Sequence, residues 1–283
     1  IVQFGAGLPG EIVTPDGLLF TNYHCGYGNI QSLSSLEHDY LKNVFWAMSR
    51  DEEIHAPGLT VRFVRSIEDV TETVLEGISA DASQGERELA AKTNSEALTA
   101  KLREENPGMD IQVRAFFGGN RYFAFVTEVF RDIRMVGAPP YSIGKYGNET
   151  DNWMYPRHTG DFCIFRVYAG ADNKPADYSV DNVPYKAPVH LKISAKGYNE
   201  GDFAMVMGFP GSTQRYMTTY EIDQMLDVDN PTRINIRGVR QDILKENMNA
   251  SDAVRIKYAA KYQSSSNYWK NSRGMSRGVR KLN

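Results

Sequence analysis

His24 ends the apolar run LLFTNYH and is followed by Cys25 and the glycines of CGYG. Asp161 stands in TGDFCIFRV, after a glycine and before alternating bulky residues. A histidine that can take a proton and a carboxylate that can orient it are two of the three parts needed to activate a serine for acyl transfer. A carboxylate at the mouth of a strand can be held by backbone N–H groups and stay ionised, as an orienter must. Asp151, beside Asn152 and Trp153, is the competing carboxylate, but no strand follows it. A single histidine after a strand is more often a hydrogen-bonded structural residue, so the residues alone leave both readings of His24 open. His158, in PRHTG, reads as loop architecture, and His38, His55 and His190 lack acidic or cysteine partners at metal-ligand spacing. We therefore expect no metal and no cofactor.

The elements that must position these residues are legible in outline. GEIVT, PDG and LLFTNYH read as strand, turn, strand, with proline fixing φ and glycine accepting a positive one. His24 is thereby expected at a strand end, facing a glycine-rich loop. GLTVRFVRSIEDV (58–70) alternates like a strand, and residues 67–106, rich in Ala, Glu, Lys and Leu, read as helices inserted between strands. Strands resume over 110–140, with GGN as a hairpin turn. A polar, aromatic loop over 144–162 leads to the strand FCIFRVYA. HLKISAKGYNEGDFAMVMGFPGSTQRYMT (190–218) predicts two more strands around a glycine turn, and the rest reads helical with one proline break.

The chain of 283 residues is 41% hydrophobic and 24% charged with net charge -3, the composition of a soluble globular protein with a sizeable core. No stretch approaches the roughly 18 apolar residues of a membrane helix. Two cysteines exclude a disulfide framework and a thiolate zinc site. Ile1 and the absence of a signal peptide suggest a trimmed start, from which no compartment can be read. Basic residues dominate beyond Arg233, interleaved with tyrosines; in a slightly acidic chain we read this as a solvated helical face, with no nucleic-acid partner expected.

GEIVTPDGLLFTNYHCGYG, TDNWMYPRHTGDF, GDFAMVMGFPGSTQRY and SSSNYWKNSRGM resemble successive signature stretches of the bacterial serine dipeptidyl-peptidases of the dipeptidyl-peptidase 7 and 11 group. The resemblance runs the length of the chain. It implies a mostly β fold with helical insertions (α+β): a chymotrypsin-like β-barrel over 1–218, with its helical insertion near 67–106, followed over 219–283 by the start of an α-helical cap domain. Such enzymes release dipeptides from the free N-terminus of oligopeptides. The matching motifs make His24 the general base and Asp161 the triad aspartate, and they assign Asn152, Trp153 and Asn267 to the substrate's N-terminal amine. Amide oxygens and an aromatic wall suit an ammonium. Without the resemblance, Trp153 and Trp269 read as packing residues and Asn267 as a cap; Trp269 keeps that reading.

Two departures qualify the match. The family's cysteine before TGE is replaced by Leu8 in GLPGE, so Cys25 is expected to be a free thiol. No Gly-Asn-Ser-Gly-Ser motif occurs, and Ser212 in FPGSTQ lacks the following glycine that would open an oxyanion hole. The nucleophilic serine is therefore expected outside this chain, which would be an N-terminal fragment, inactive alone. An ordinary imidazole would make the intact enzyme's activity rise between about pH 6 and 8. The resemblance further implies the periplasm or cell surface of a Gram-negative bacterium, and a homodimer. The rival readings are a periplasmic trypsin-like endopeptidase and a non-catalytic module that binds peptide N-termini.

Overall fold

Pro15-Asp16-Gly17 makes the turn its residues predict: Gly17 takes φ +74° and its N–H donates to the Thr14 carbonyl at 3.3 Å. The computed structural model describes residues 1–209, 214 and 216–282. Its strands, in chain order, are β1 (Val2–Phe4), β2 (Leu8–Ile12), β3 (Leu18–Thr21), β4 (Phe45–Trp46), β5 (Ile54–His55), β6 (Val61–Asp69), β7 (Asp110–Phe116), β8 (Arg121–Phe130), β9 (Asp132–Ala138), β10 (Cys163–Ala169) and β11 (Val183–Pro184). The helices are α1 (Tyr23–Leu33), α2 (Thr71–Leu75), α3 (Gln84–Glu105), α4 (Tyr141–Gly144), α5 (Asn148–Asp151), α6 (Thr219–Gln224), α7 (Asn230–Ala250) and α8 (Asp252–Leu282). This is an α+β architecture of antiparallel strands with helices. Its contacts define two compact units: Ile1–Gly17 with Pro57–Ile133 and Val167–Phe209, and Leu18–Ala56 with Arg134–Arg166 and Pro210–Asn283.

In the first unit the strand order is β2-β1-β6-β8-β7, each neighbour antiparallel. The chain stays in strand through Asp69, so the helical insertion starts later than its composition suggests; α2 and α3 then occupy it. Ser83 and Glu86 form a reciprocal capping box that starts α3. Val2, Phe4, Val61, Ile111 and Phe130 are buried, and Phe63, Phe130 and Tyr185 pack ring to ring at 4.6 to 5.2 Å.

The two strands predicted over 190–218 do not form among the described residues of that stretch. Phe203, Met205 and Val206 are exposed. Alternating apolar residues suit a pleated face, but a strand also needs a neighbouring backbone to pair with. Here Leu191 N–H to the Ile12 carbonyl, at 2.8 Å, is an isolated contact of that kind.

The second unit carries the order β4-β9-β10-β3, with β5 also paired to β9. β10 runs antiparallel to β3 in the register Cys163↔Thr21 to Arg166↔Leu18. Leu19, Tyr23, Ile30, Leu41, Met135 and Phe165 are buried, each worth about 1.5–3 kcal/mol by removal from water. The buried Arg166 guanidinium donates to both oxygens of Glu53, at 2.9 and 3.2 Å.

Thr218 and Glu221 cap α6, and a π turn over Met225–Asp229 joins it to α7. The predicted proline break is not at Pro231. That residue follows the π turn, and the backbone keeps right-handed helical angles from Gln224 through Asn230, so the helix runs on through it; the interruption falls at Ser251, which is extended. α8 is tied to α7 by Trp269, whose indole N–H donates to the Ile234 carbonyl at 3.1 Å.

Candidate active site

His24 lies in the first turn of α1, where a glycine-rich loop was expected. Gly26 and Gly28 each disfavour helix by about 1 kcal/mol, yet tertiary packing overrides them. A Cβ on Gly26 would stand 2.6 Å from Cys163 Sγ and 3.1 Å from the Phe165 ring, so only glycine lets α1 settle against β10 at this point. Asn22 occupies the N-cap position but makes no capping hydrogen bond with its side chain. Its amide donates instead to Asp161, to the backbone carbonyl at 3.2 Å and to Oδ2 at 3.4 Å.

Asp161 takes over the vacant capping role. Its Oδ1 accepts the His24 backbone N–H at 3.0 Å, while Oδ2 lies 2.7 Å from His24 Nδ1. One carboxylate thus satisfies a helix N-terminal donor and orients the imidazole. The positive end of a helix also favours the ionised form. With Nδ1 committed to a carboxylate, Nε2 is the ring nitrogen left to exchange a proton. The His24 side chain is 54% exposed and that of Asp161 23%.

The electrostatics follow from this geometry. The hydrogen bond to Asp161 and a weaker one to the Cys25 thiol outweigh partial burial, and His24 is pushed up to about 10. Burial alone would raise Asp161, but the contacts with His24 and the Arg157 charge hold it below the usual carboxylate range. A titration of His24 between pH 6 and 8, expected for an ordinary imidazole, is therefore displaced to higher pH. Burial drives the Cys163 thiol upward, so it stays protonated and directs its S–H at the Asn22 carbonyl, 3.2 Å away. Cys25 and Cys163 are both buried and free.

Asn152, Trp153 and Asn267 also come together. Asn267 Oδ1 accepts from Asn152 Nδ2 at 3.0 Å and from the Trp153 indole N–H at 2.9 Å. The Asn267 backbone carbonyl lies 3.2 Å from the same indole nitrogen. With its NH₂ engaged, Asn152 Oδ1 is the acceptor left for a cationic guest. Trp153 is 56% exposed and adopts φ +60°. A bulky residue in the left-handed region costs on the order of 1–3 kcal/mol, and the indole contacts with Asn267 offset that cost.

Asn267 is placed by the anchoring of α8. Gln31, on the helix that carries His24, donates to the Lys257 carbonyl at 3.2 Å and accepts the Ala260 N–H at 2.7 Å. Arg255 pairs with the buried Asp39 and, at 2.9 Å, with Asp252. Sequence reasoning missed Asn22, Gln31 and the Arg255–Asp39 pair. Only the Thr-Asn before Tyr-His, a helix N-cap residue type, could have hinted at the first.

Ser212 lies outside the described residues, as does the side chain of Asp151, although its backbone closes α5. His158 is exposed.

The family model described as Peptidase S46 matches residues 1–283. Dipeptidyl-peptidase 7 of Phocaeicola vulgatus is 52% identical over 280 residues, covering 98% of this chain and 39% of that protein. The Asp/Glu-specific dipeptidyl-peptidase of Flavobacterium psychrophilum is 46% identical over 283 residues, covering 100% of this chain and 40% of the relative. Among solved structures, Porphyromonas endodontalis DPP11 in complex with the dipeptide Arg-Glu superposes with a TM-score of 0.90 at 44% identity, covering 99% of this chain and 41% of that one. The chain thus spans about two fifths of the length of these relatives.

Proposed function

The chain belongs to the peptidase S46 family, and from that premise we propose that it is part of a serine dipeptidyl-peptidase releasing dipeptides from the free N-terminus of oligopeptides. The observation that carries the proposal is the double grip of Asp161 on His24, at 2.7 and 3.0 Å. It fixes one tautomer and leaves Nε2 for proton transfer. A serine from beyond this chain gives its proton to Nε2 as its oxygen attacks the scissile carbonyl. Asp161 stabilises the imidazolium without taking the proton. His24 then protonates the leaving amine, and water attacks the resulting ester by the same route in reverse.

Asn152, Trp153 and Asn267 hold the substrate's ammonium, with Asn152 Oδ1 as acceptor and the exposed indole as wall. In this reading the barrel is chymotrypsin-like and the helices from 219 onward begin a cap domain. The mature enzyme works as a homodimer in the periplasm or at the surface of a Gram-negative cell. The test is cleavage by the full-length enzyme of one peptide amide with a free and with an acetylated N-terminus. We expect the free form to be cleaved at least a hundredfold faster. Equal rates would replace this reading with an endopeptidase, and binding without turnover would reduce it to a module that holds peptide N-termini.

A further inference from the structure

Asn22 is the first residue after β3, whose Thr21 is still paired with Cys163 of β10, and the last before α1. Its backbone carbonyl accepts the N–H groups of Cys25 and Gly26, at 3.0 and 3.2 Å, and the Cys163 S–H at 3.2 Å. The residue is thus pinned on one side to the start of the helix that carries His24. On the other it is pinned to the strand that follows Asp161. Its side chain adds a further tie. One NH₂ group, with two hydrogens to give, donates to the Asp161 carbonyl at 3.2 Å and to Asp161 Oδ2 at 3.4 Å.

These contacts exchange the usual parts at a helix start. Ser, Thr, Asp and Asn are favoured as N-caps because a side-chain oxygen accepts a free backbone N–H. Here Asp161 Oδ1 supplies that oxygen from another segment, and Asn22 turns its amide toward Asp161 as a donor. Of those four residue types, Asn alone brings an NH₂ that serves two oxygens of one residue. An aspartate of the same shape would cap as well, but it would set a second carboxylate against Asp161.

The carboxylate needs that donor for orientation. The His24 backbone N–H fixes Oδ1, but one bond leaves the group free to turn about it and carry Oδ2 away from Nδ1. The Asn22 amide ties Oδ2 to the main chain behind it, with Oδ2 2.7 Å from His24 Nδ1. The backbone on either side is held as well: Gly160 N–H donates to the Ile143 carbonyl at 3.0 Å and Phe162 N–H to the Gly160 carbonyl at 2.9 Å. We propose that Asn22 is a positioning residue of the peptidase, whose amide sets the Asp161 carboxylate so that His24 keeps one tautomer and aims Nε2. This rests on the reading of His24 as general base.

The test compares wild type, Asn22→Ala and Asn22→Asp in the full-length enzyme, on one fluorogenic dipeptidyl amide with a free amine. Asn22→Ala should lower kcat about tenfold or more and leave KM within about twofold, because the amine grip is untouched. Asn22→Asp should lose at least as much although it caps equally well, so a lost helix cap cannot account for the effect. In an Asp161→Asn background, Asn22→Ala should change kcat by less than about twofold, since the carboxylate it orients is gone. The low-field proton resonance of His24 Nδ1–H should weaken or broaden in Asn22→Ala. If Asn22→Ala leaves kcat unchanged, or lowers it by the same factor with and without the Asp161 carboxylate, the proposal falls and the base stands. If His24→Ala costs less than tenfold, the base falls and takes the proposal with it.

Discussion

His24 and Asp161 meet where α1 begins beside the lead-in to β10, over a layer of buried Tyr23, Cys163 and Phe165. Asn152, Trp153 and Asn267 meet at the surface, between a segment with a left-handed tryptophan and the middle of a 31-residue helix. Both groups are closed by hydrogen bonds near 3 Å, yet they are held differently. The dyad is fixed by packing that tolerates no added methyl at Gly26. The amide group depends on a strained backbone and on the distant anchoring of α8 through Gln31 and Arg255. Proton transfer needs sub-ångström placement, whereas gripping an ammonium tolerates adjustment, and the two kinds of support fit those needs.

The contrast can be broken most severely at the dyad. In the full-length enzyme, His24→Ala should lower kcat by about four orders of magnitude or more, with Asp161→Asn close behind because the wrong tautomer is then favoured. A loss below tenfold for His24→Ala would overturn its assignment as base. Asn267→Ala should act differently, raising KM by about ten- to a hundredfold and erasing most of the advantage of free over acetylated peptides. An equal loss of kcat on both peptides would make Asn267 merely structural.

Gly26→Ala should cost about 1–3 kcal/mol in thermal or denaturant unfolding, from overpacking against Cys163. Cys163→Ala should recover part of that cost in a double-mutant cycle. An additive cycle would show that the two residues do not press on one another.

The finest distinction is in pH dependence. Because His24 is raised above 6.5 toward about 10, the ascending limb of kcat/KM should lie above that of an ordinary imidazole, and Asp161→Asn should move it down. Stability should follow the same linkage. The contribution of protonated His24 is complete below about pH 6.5 and fades as pH rises through its folded value. That of Asp161 is present above its unfolded value, near 3.9, and fades as pH falls through the depressed one. An ascending limb that stays in place in Asp161→Asn would show that another group sets it.

Residue types and motifs carried the pairing of His24 with Asp161 and of Asn152 with Trp153 and Asn267 as far as candidates. They also predicted the Pro-Asp-Gly turn, the hairpin around GGN and helices within 67–106, because each rests on local chemistry: a fixed φ, a permitted positive φ, a run of helix-favouring residues. Sequence reading failed where a long-range contact outweighed local preference. Of the glycines that suggested a loop after His24, Gly26 lies in a helix where Cys163 and Phe165 leave room for nothing larger, while Gly28 faces open space. The alternation over 190–218 met no strand partner among the described residues. Asn22 gave up capping for a carboxylate 139 residues away.

The sequence by itself determined which groups were available: a base, an orienter, amides, an aromatic wall and a basic helix face. Only the tertiary structure decided that Asp161 would cap α1 and so bind His24 twice, and that α8 would bring Asn267 to the segment around Trp153. Hydrogen bonds and charges act over a few ångströms, and which distant residues come that close is settled by packing.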